Sequence, residues 1–229
     1  MEYIIGGDIG KINDNATIAV LKHKPEYRDQ EARKGTRRHD ESPTIMMHHY
    51  QLVHLEKVPL GTTYPALARR LMTVSEHKDL LGVSDLVIDV GGVGEAVNDL
   101  IVEAGGSPIP VTLTAGLAPT YNEERGMWSL PKKNLVAELI KVYHTGRITM
   151  NPRLPYLADL QDQLKGFSMK LKKDTAHASY EAMKDEVHDD LVIALGLCTW
   201  WAGVTHGGLD EVMSKKKREN YSPKSFRPS

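Results

Sequence analysis

A single cysteine among 229 residues, Cys198, leaves no partner for an internal disulfide. Its place inside an apolar run reads as a small buried hydrophobe. No Cys/His spacing of the kind that holds structural zinc occurs along the chain. The formal net charge is only −1, which excludes a strongly basic coat, so any contact with a polyanion has to come from local patches. No apolar run reaches membrane-span length, and the N-terminus lacks the charged-then-apolar pattern of an export signal. The expectation is a soluble, intracellular, non-secreted chain. Internal repeats, a helix-turn-helix and a zinc finger are all missing. A phosphate loop of the form G-x-x-x-x-G-K-[ST] is missing too, because Gly6 to Lys11 has the wrong spacing and is followed by Ile12. A dinucleotide-binding turn at Gly92-x-Gly94 fails because Val97 stands where the third glycine is needed.

What remains is ordinarily globular: 41% hydrophobic and 26% charged residues, enough for one large domain with a true core. That domain is expected over residues 1–205, with 206–229 a polar, flexible tail carrying Lys215-Lys216-Lys217-Arg218. Residues 3–8 and 16–21 read as strands of an antiparallel hairpin across the turn formers Gly10, Asn13, Asp14 and Asn15. Residues 22–43, with seven basic and five acidic side chains, read as a solvated, mobile loop, and Thr44 to Leu55 as a third strand. Helices are expected at 64–81, 95–104, 131–145 and 156–164, and strands at 85–90 and 109–113. Two further strands are expected at 167–171 and 176–182, before a long apolar helix at 186–204. This order implies an RNase H-like α/β fold: a central mixed five-stranded sheet, three antiparallel strands then parallel ones, flanked by helices.

Carboxylates end or open three of the apolar elements. Asp8 closes the first strand, Asp89 closes Asp85-Leu86-Val87-Ile88, and Asp189 with Asp190 opens the run from Leu191 to Val204. A carboxylate on a buried element is costly unless a divalent cation compensates it. In an RNase H-like sheet the first and fourth strands are parallel neighbours, which brings Asp8 and Asp89 together, and a late helix across that edge adds Asp189 or Asp190. Such a set suits two Mg²⁺ or Mn²⁺ ions about 3.5–4 Å apart in phosphodiester hydrolysis. Asp8 fits the bridging position. Neighbouring residues on a helix point about 100° apart, so one of the last pair is the primary ligand, Asp190 being preferred to Asp189. Each aspartate alone is more readily a loop cap or a helix-dipole charge; the ordered set favours a metal site. Asp14 and His188 are possible supporting residues, balanced by their readings as a turn residue and a salt-bridge partner.

Four stretches carry a family resemblance: Gly7-Asp8-Ile9-Gly10 through Asp14-Asn15-Ala16-Thr17-Ile18-Ala19-Val20; Val87-Ile88-Asp89-Val90-Gly91-Gly92-Val93-Gly94; Trp128-Ser129-Leu130-Pro131-Lys132-Lys133-Asn134-Leu135-Val136 leading to Gly146-Arg147-Ile148; and His188-Asp189-Asp190-Leu191-Val192-Ile193-Ala194-Leu195. Together they resemble the C-terminal nuclease domain of the large subunit of tailed-phage terminases, which cut and package viral DNA. The resemblance implies a metal-dependent endonuclease on double-stranded DNA in the host-cell cytoplasm. It also implies Asp8, Asp89 and one or both of Asp189 and Asp190 as ligands, and a packaging ATPase, a small terminase subunit and a portal as partners. The chain departs from the family in its insert at 22–43 and in lacking the ATPase. The expectation is therefore a nuclease without its motor, excised or separately encoded, that does not itself turn over ATP.

Lys132, Lys133, Lys165, Lys170, Lys172 and Lys173 lie between the second and last acidic motifs and are candidate phosphate contacts as a set, although any one of them alone reads rather as a solvated lysine. Trp200 and Trp201 read as core rather than base-stacking residues. The competing functions are a resolvase or transposase-type nuclease of the same fold, an actin- or sugar-kinase-like nucleotide-binding domain suggested by Asp8-Ile9-Gly10 and Asp89-Val90-Gly91, and a non-catalytic packaging scaffold. Against the kinase-like reading, such enzymes need two domains around a cleft and give the His-Asp-Asp helix no role.

Overall fold

The computed structural model describes residues 2–10, 15–29, 44–173 and 189–206. Its core is a meander of β1 (Tyr3–Asp8), β2 (Thr17–Asp29) and β3 (Thr44–Lys57), followed by α1 (Tyr64–Ser75), β4 (Ser84–Asp89), α2 (Gly94–Glu103) and β5 (Ile109–Thr114). Then come β6 (Thr120–Asn122), β7 (Met127–Pro131), α3 (Lys132–His144), β8 (Ile148–Met150), α4 (Leu157–Lys173) and α5 (Asp190–His206). β1 pairs antiparallel with β2 and parallel with β4, and β2 pairs antiparallel with β3. With β5 parallel to β4, this is the RNase H-like arrangement.

Among the described residues the sheet has eight strands, in the order β6-β7-β5-β4-β1-β2-β3-β8, not the five expected. The additions β6, β7 and β8 are short; β6 pairs with β7 in a hairpin across Asn122–Met127, whereas β7 and β8 dock in parallel on β5 and β3, so local pattern gives them little signal. β2 and β3 also run further than expected. Lys22 to Asp29 pair with Thr44 to Gln51, so the polar insert begins as strand; residues 30–43 lie outside the described residues. The strand expected at 167–171 is instead the continuation of α4, because Leu160, Leu164 and Phe167 share one buried helical face. The strand expected at 176–182 and the first residues of the expected helix at 186–204 lie outside the described residues.

Strand alternation splits the core into two layers. Ile4, Ala19, Leu21, Val87 and Val111 face α3, α4 and α5, whereas Ile5, Ile18, Val20, Leu86 and Ile88 face α1 and α2. Because both faces of the central strands are covered, those strands are apolar throughout. α5 is apolar all round and lies in the middle of its layer, with Leu191 to Ala202 buried without interruption. It crosses β1 at Gly6, where a Cβ would meet the Ala194 carbonyl oxygen and Cys198 Sγ. Cys198 is fully buried and its thiol pKa is pushed up by that burial, in keeping with a packing role. Trp200 and Trp201 are buried within α5, and the Trp201 indole N–H donates to Asp85 Oδ2 at 2.8 Å.

Candidate active site

Parallel pairing of β1 with β4 sets Gly7 beside Ile88, so Asp8 and Asp89 leave the sheet side by side at its C-terminal edge. Open α/β sheets bind their ligands at that edge. α5 starts at the same place. Thr17, paired with Asp8, donates its hydroxyl to the Asp190 carbonyl oxygen at 2.8 Å, tying β2 to the first residue of the helix. The Asp189 carbonyl accepts the Ile193 N–H at 2.9 Å, so Asp189 caps α5 and Asp190 opens it. Gln163 of α4 reaches across to accept the Val192 N–H at 3.2 Å, satisfying another donor of the first turn. α3 begins here as well: Pro131 is its extended capping residue rather than its first helical one, and Lys132 follows.

The result is a charge cluster. Asp8 has its pKa raised well above the usual carboxylate range, first by burial, then by Asp89, Asp190 and Asp189, with Lys132 opposing. Asp89 is also shifted upward by burial, countered by backbone N–H groups of Gly91 and Leu113 and by Lys132. The Gly91 N–H donates to Asp89 Oδ1 at 2.8 Å. Gly92 then turns the chain at φ 62°, a left-handed conformation suited to glycine, and α2 starts at Gly94. Lys132 Nζ forms an ion pair with Asp189.

The sequence-derived candidates divide accordingly. Asp8, Asp89, Asp189 and Asp190 are brought together, and Lys132 joins them as a partner to the acids. Lys133 is exposed at the start of α3. Lys165 is exposed on α4, bonded to Asp162 at 2.9 Å. Lys170, Lys172 and Lys173 lie on the last turns of α4, and their side chains lie outside the described residues, as do Asp14 and His188. Thr17 and Gln163 were not evident as site-building residues, because their bonds to α5 span 173 and 29 positions.

A donor set made only of carboxylates matches a hard cation such as Mg²⁺ or Mn²⁺. The upward shift of Asp8 marks a site short of positive charge, which such a cation would supply. Asp8, Asp89, Asp190 and Asp189 could hold it, Asp189 being engaged with Lys132. These acids are not drawn tightly together. Among the described residues, the trio whose metal-binding atoms all lie within 4.8 Å of one another is elsewhere: His23, His48 and His206.

No family model matches the chain, and no curated protein matches it. Among solved structures, the large terminase nuclease from thermophilic phage G20c with bound zinc is similar at a TM-score of 0.44 and 19% identity, covering 86% of this chain and 78% of that one.

Proposed function

We propose that the chain is a divalent-metal-dependent endonuclease that hydrolyses phosphodiester bonds of double-stranded DNA, as in viral genome packaging. The observation that supports this reading best is the convergence of Asp8, Asp89, Asp189 and Asp190 on one sheet edge, with Asp8 held towards protonation first by burial and then by the other three. Mg²⁺ or Mn²⁺, two ions in this reading, would activate a water and stabilise the leaving oxygen when bound. Asp8, on a rigid strand end, orients the site; Asp89, fixed by the Gly91 N–H, and Asp190, fixed by the helix start, complete the oxygen donors. Lys132 restrains Asp189 and tempers the negative field that would otherwise repel a phosphate. Lys133, exposed at the start of α3, and Lys165, exposed on α4 beside Asp162, are candidates for backbone phosphates flanking the scissile one, with Lys170, Lys172 and Lys173 further along α4. The four motifs resembling terminase nucleases contain all four acids. In this reading the partners are a packaging ATPase, a small terminase subunit and a portal, and the setting is the host-cell cytoplasm.

The test is cleavage of supercoiled plasmid in Mn²⁺, Mg²⁺ or EDTA by the wild type and by Asp8→Asn, Asp89→Asn, Asp189→Asn and Asp190→Asn. EDTA, Asp8→Asn and Asp89→Asn are each expected to cut the rate by at least about 100-fold, the scale of removing a key charge-stabilising group. Asp190→Asn is expected to cost more than Asp189→Asn, whose charge is already taken up by Lys132. Undiminished cleavage by the Asp8 and Asp89 variants would overturn the proposal. A strong preference for four-way junctions over linear duplex would instead point to a resolvase.

A further inference from the structure

The opposite end of α5 carries a second cluster of chemistry-bearing side chains, unrelated to the acidic edge. From Thr17 to His23, β2 advances roughly 20 Å at about 3.3 Å per residue. From Asp190 to His206, α5 advances roughly 24 Å at 1.5 Å per residue. There His23 on β2, His48 on β3 and His206 at the last turn of α5 meet.

His23 Nε2 lies 2.8 Å from His48 Nδ1. The His23 ring stacks on His206 with centroids 3.7 Å apart and lies 5.0 Å from His48. Each residue offers a ring nitrogen, and the three atoms lie within 4.8 Å of one another. His48 is buried and the other two half-buried. Tyr50 packs against His23 at 5.6 Å, and Arg147 faces His48. Burial first, then the neighbouring imidazoles, lowers His23 to about 4 and shifts His48 downward as well. Neutral imidazole at physiological pH is the form that ligates metal.

We infer that His23, His48 and His206 form a binding site for Zn²⁺ that fastens the end of α5 to β2 and β3. Three imidazoles without a carboxylate or thiolate suit Zn²⁺, and Cu²⁺ or Ni²⁺ after it, rather than Mg²⁺ or Mn²⁺. Tetrahedral zinc at about 2.0–2.1 Å from each nitrogen holds its ligands roughly 3.3 Å apart and leaves a fourth position for water. Reaching that geometry requires His23 and His48 to part slightly and the stacked rings to swivel. The ion would act as a clip, joining positions 183 residues apart in sequence and lying away from the proposed nuclease centre.

The experiment uses the full chain carrying Asp8→Asn and Asp89→Asn, so that the acidic edge does not compete for the probe. Zn²⁺ is titrated by calorimetry, and Co²⁺ is substituted to read its visible absorption. One equivalent of Zn²⁺ and the intense visible bands of a four-coordinate, nitrogen-rich cobalt site are expected. His206→Ala should weaken zinc binding by more than about 100-fold, beyond the usual effect of losing a residue that merely supports a ligand. His206→Cys, which restores a zinc donor, should recover the equivalent; far-UV circular dichroism checks that each variant folds. Zinc uptake and cobalt spectra unchanged by His206→Ala, or no zinc bound by the parent chain, would overturn the inference and leave a packed stack of neutral rings.

Discussion

In the proposed nuclease, Asp8 sets function and stability in opposition within one residue. Its raised pKa means that the folded chain holds the carboxyl proton more tightly than the unfolded chain does. Its favourable contribution is therefore complete below the ordinary carboxylate range and is lost as pH rises through the shifted value. Near neutral pH, without metal, this carboxyl works against folding, since burial and three neighbouring acids disfavour its charge and Lys132 offsets only part of that. Asp8→Asn is accordingly expected to unfold at a higher temperature than wild type in EDTA at about pH 7.5, by roughly 2–4 °C per kcal/mol regained. The gain should shrink as the pH is lowered towards about 4, where the native carboxyl is protonated. Thermal melts across that range check this; a variant no more stable than wild type at neutral pH would contradict it.

At the scale of elements, α5 is the member on which the acidic edge depends, and Gly6 decides how closely it approaches β1. Gly6→Ala would drive a methyl group into the Ala194 carbonyl and Cys198 Sγ. Overpacking of this kind costs about 1–3 kcal/mol. Because α5 also carries Asp189 and Asp190, a shift of its axis should lower metal-dependent cleavage as well as the melting temperature. Gly166→Ala on α4 is the control: among the described residues nothing beyond its own helix backbone and chain neighbours lies within 4 Å of its would-be Cβ, and alanine in a helix interior is worth about 0.5–1 kcal/mol over glycine. Chemical denaturation of the pair reads both effects, and equal stabilities would refute the close-approach argument. The elements differ in how much of them local pattern revealed. β1, β4 and β5 are apolar strands bounded by turn residues, and Gly105 and Gly146, both at positive φ, follow α2 and α3 where the glycines suggested. β6, β7 and β8 carry little local signal because they are short, and β7 and β8 take their parallel pairing from β5 and β3; the end of α4 reads as a strand because its last apolar residues mimic one when viewed without Leu160 and Leu164.

For the molecule as a whole, α5 spans the distance between two polar clusters of unlike chemistry, hard oxygens at its start and imidazoles at its end. Ligands that bind only the folded state raise its stability with concentration, by about 2.7 kcal/mol at 100 times Kd. Mn²⁺ is therefore expected to raise the melting temperature of the wild type in a concentration-dependent way. It should shift Asp8→Asn by less than half as much, while His206→Ala responds to Mn²⁺ like wild type. Differential scanning fluorimetry across a Mn²⁺ series reads this; an undiminished shift in Asp8→Asn would place manganese elsewhere.

The sequence alone determined the alternation of strands and helices, the meander at the start, the apolar character of the last helix, and aspartates standing where apolar elements end or begin. All of these are local: side-chain period, turn chemistry and the cost of a charge on a buried element act over a few residues. Tertiary structure decided the three extra strands, the pairing of Lys132 with Asp189, the ties from Thr17 and Gln163 to the start of α5, and the meeting of His23, His48 and His206. Apart from the β6–β7 hairpin, each of these joins residues brought together only when the sheet and its covering helices close, and no spacing along the chain encodes that distance.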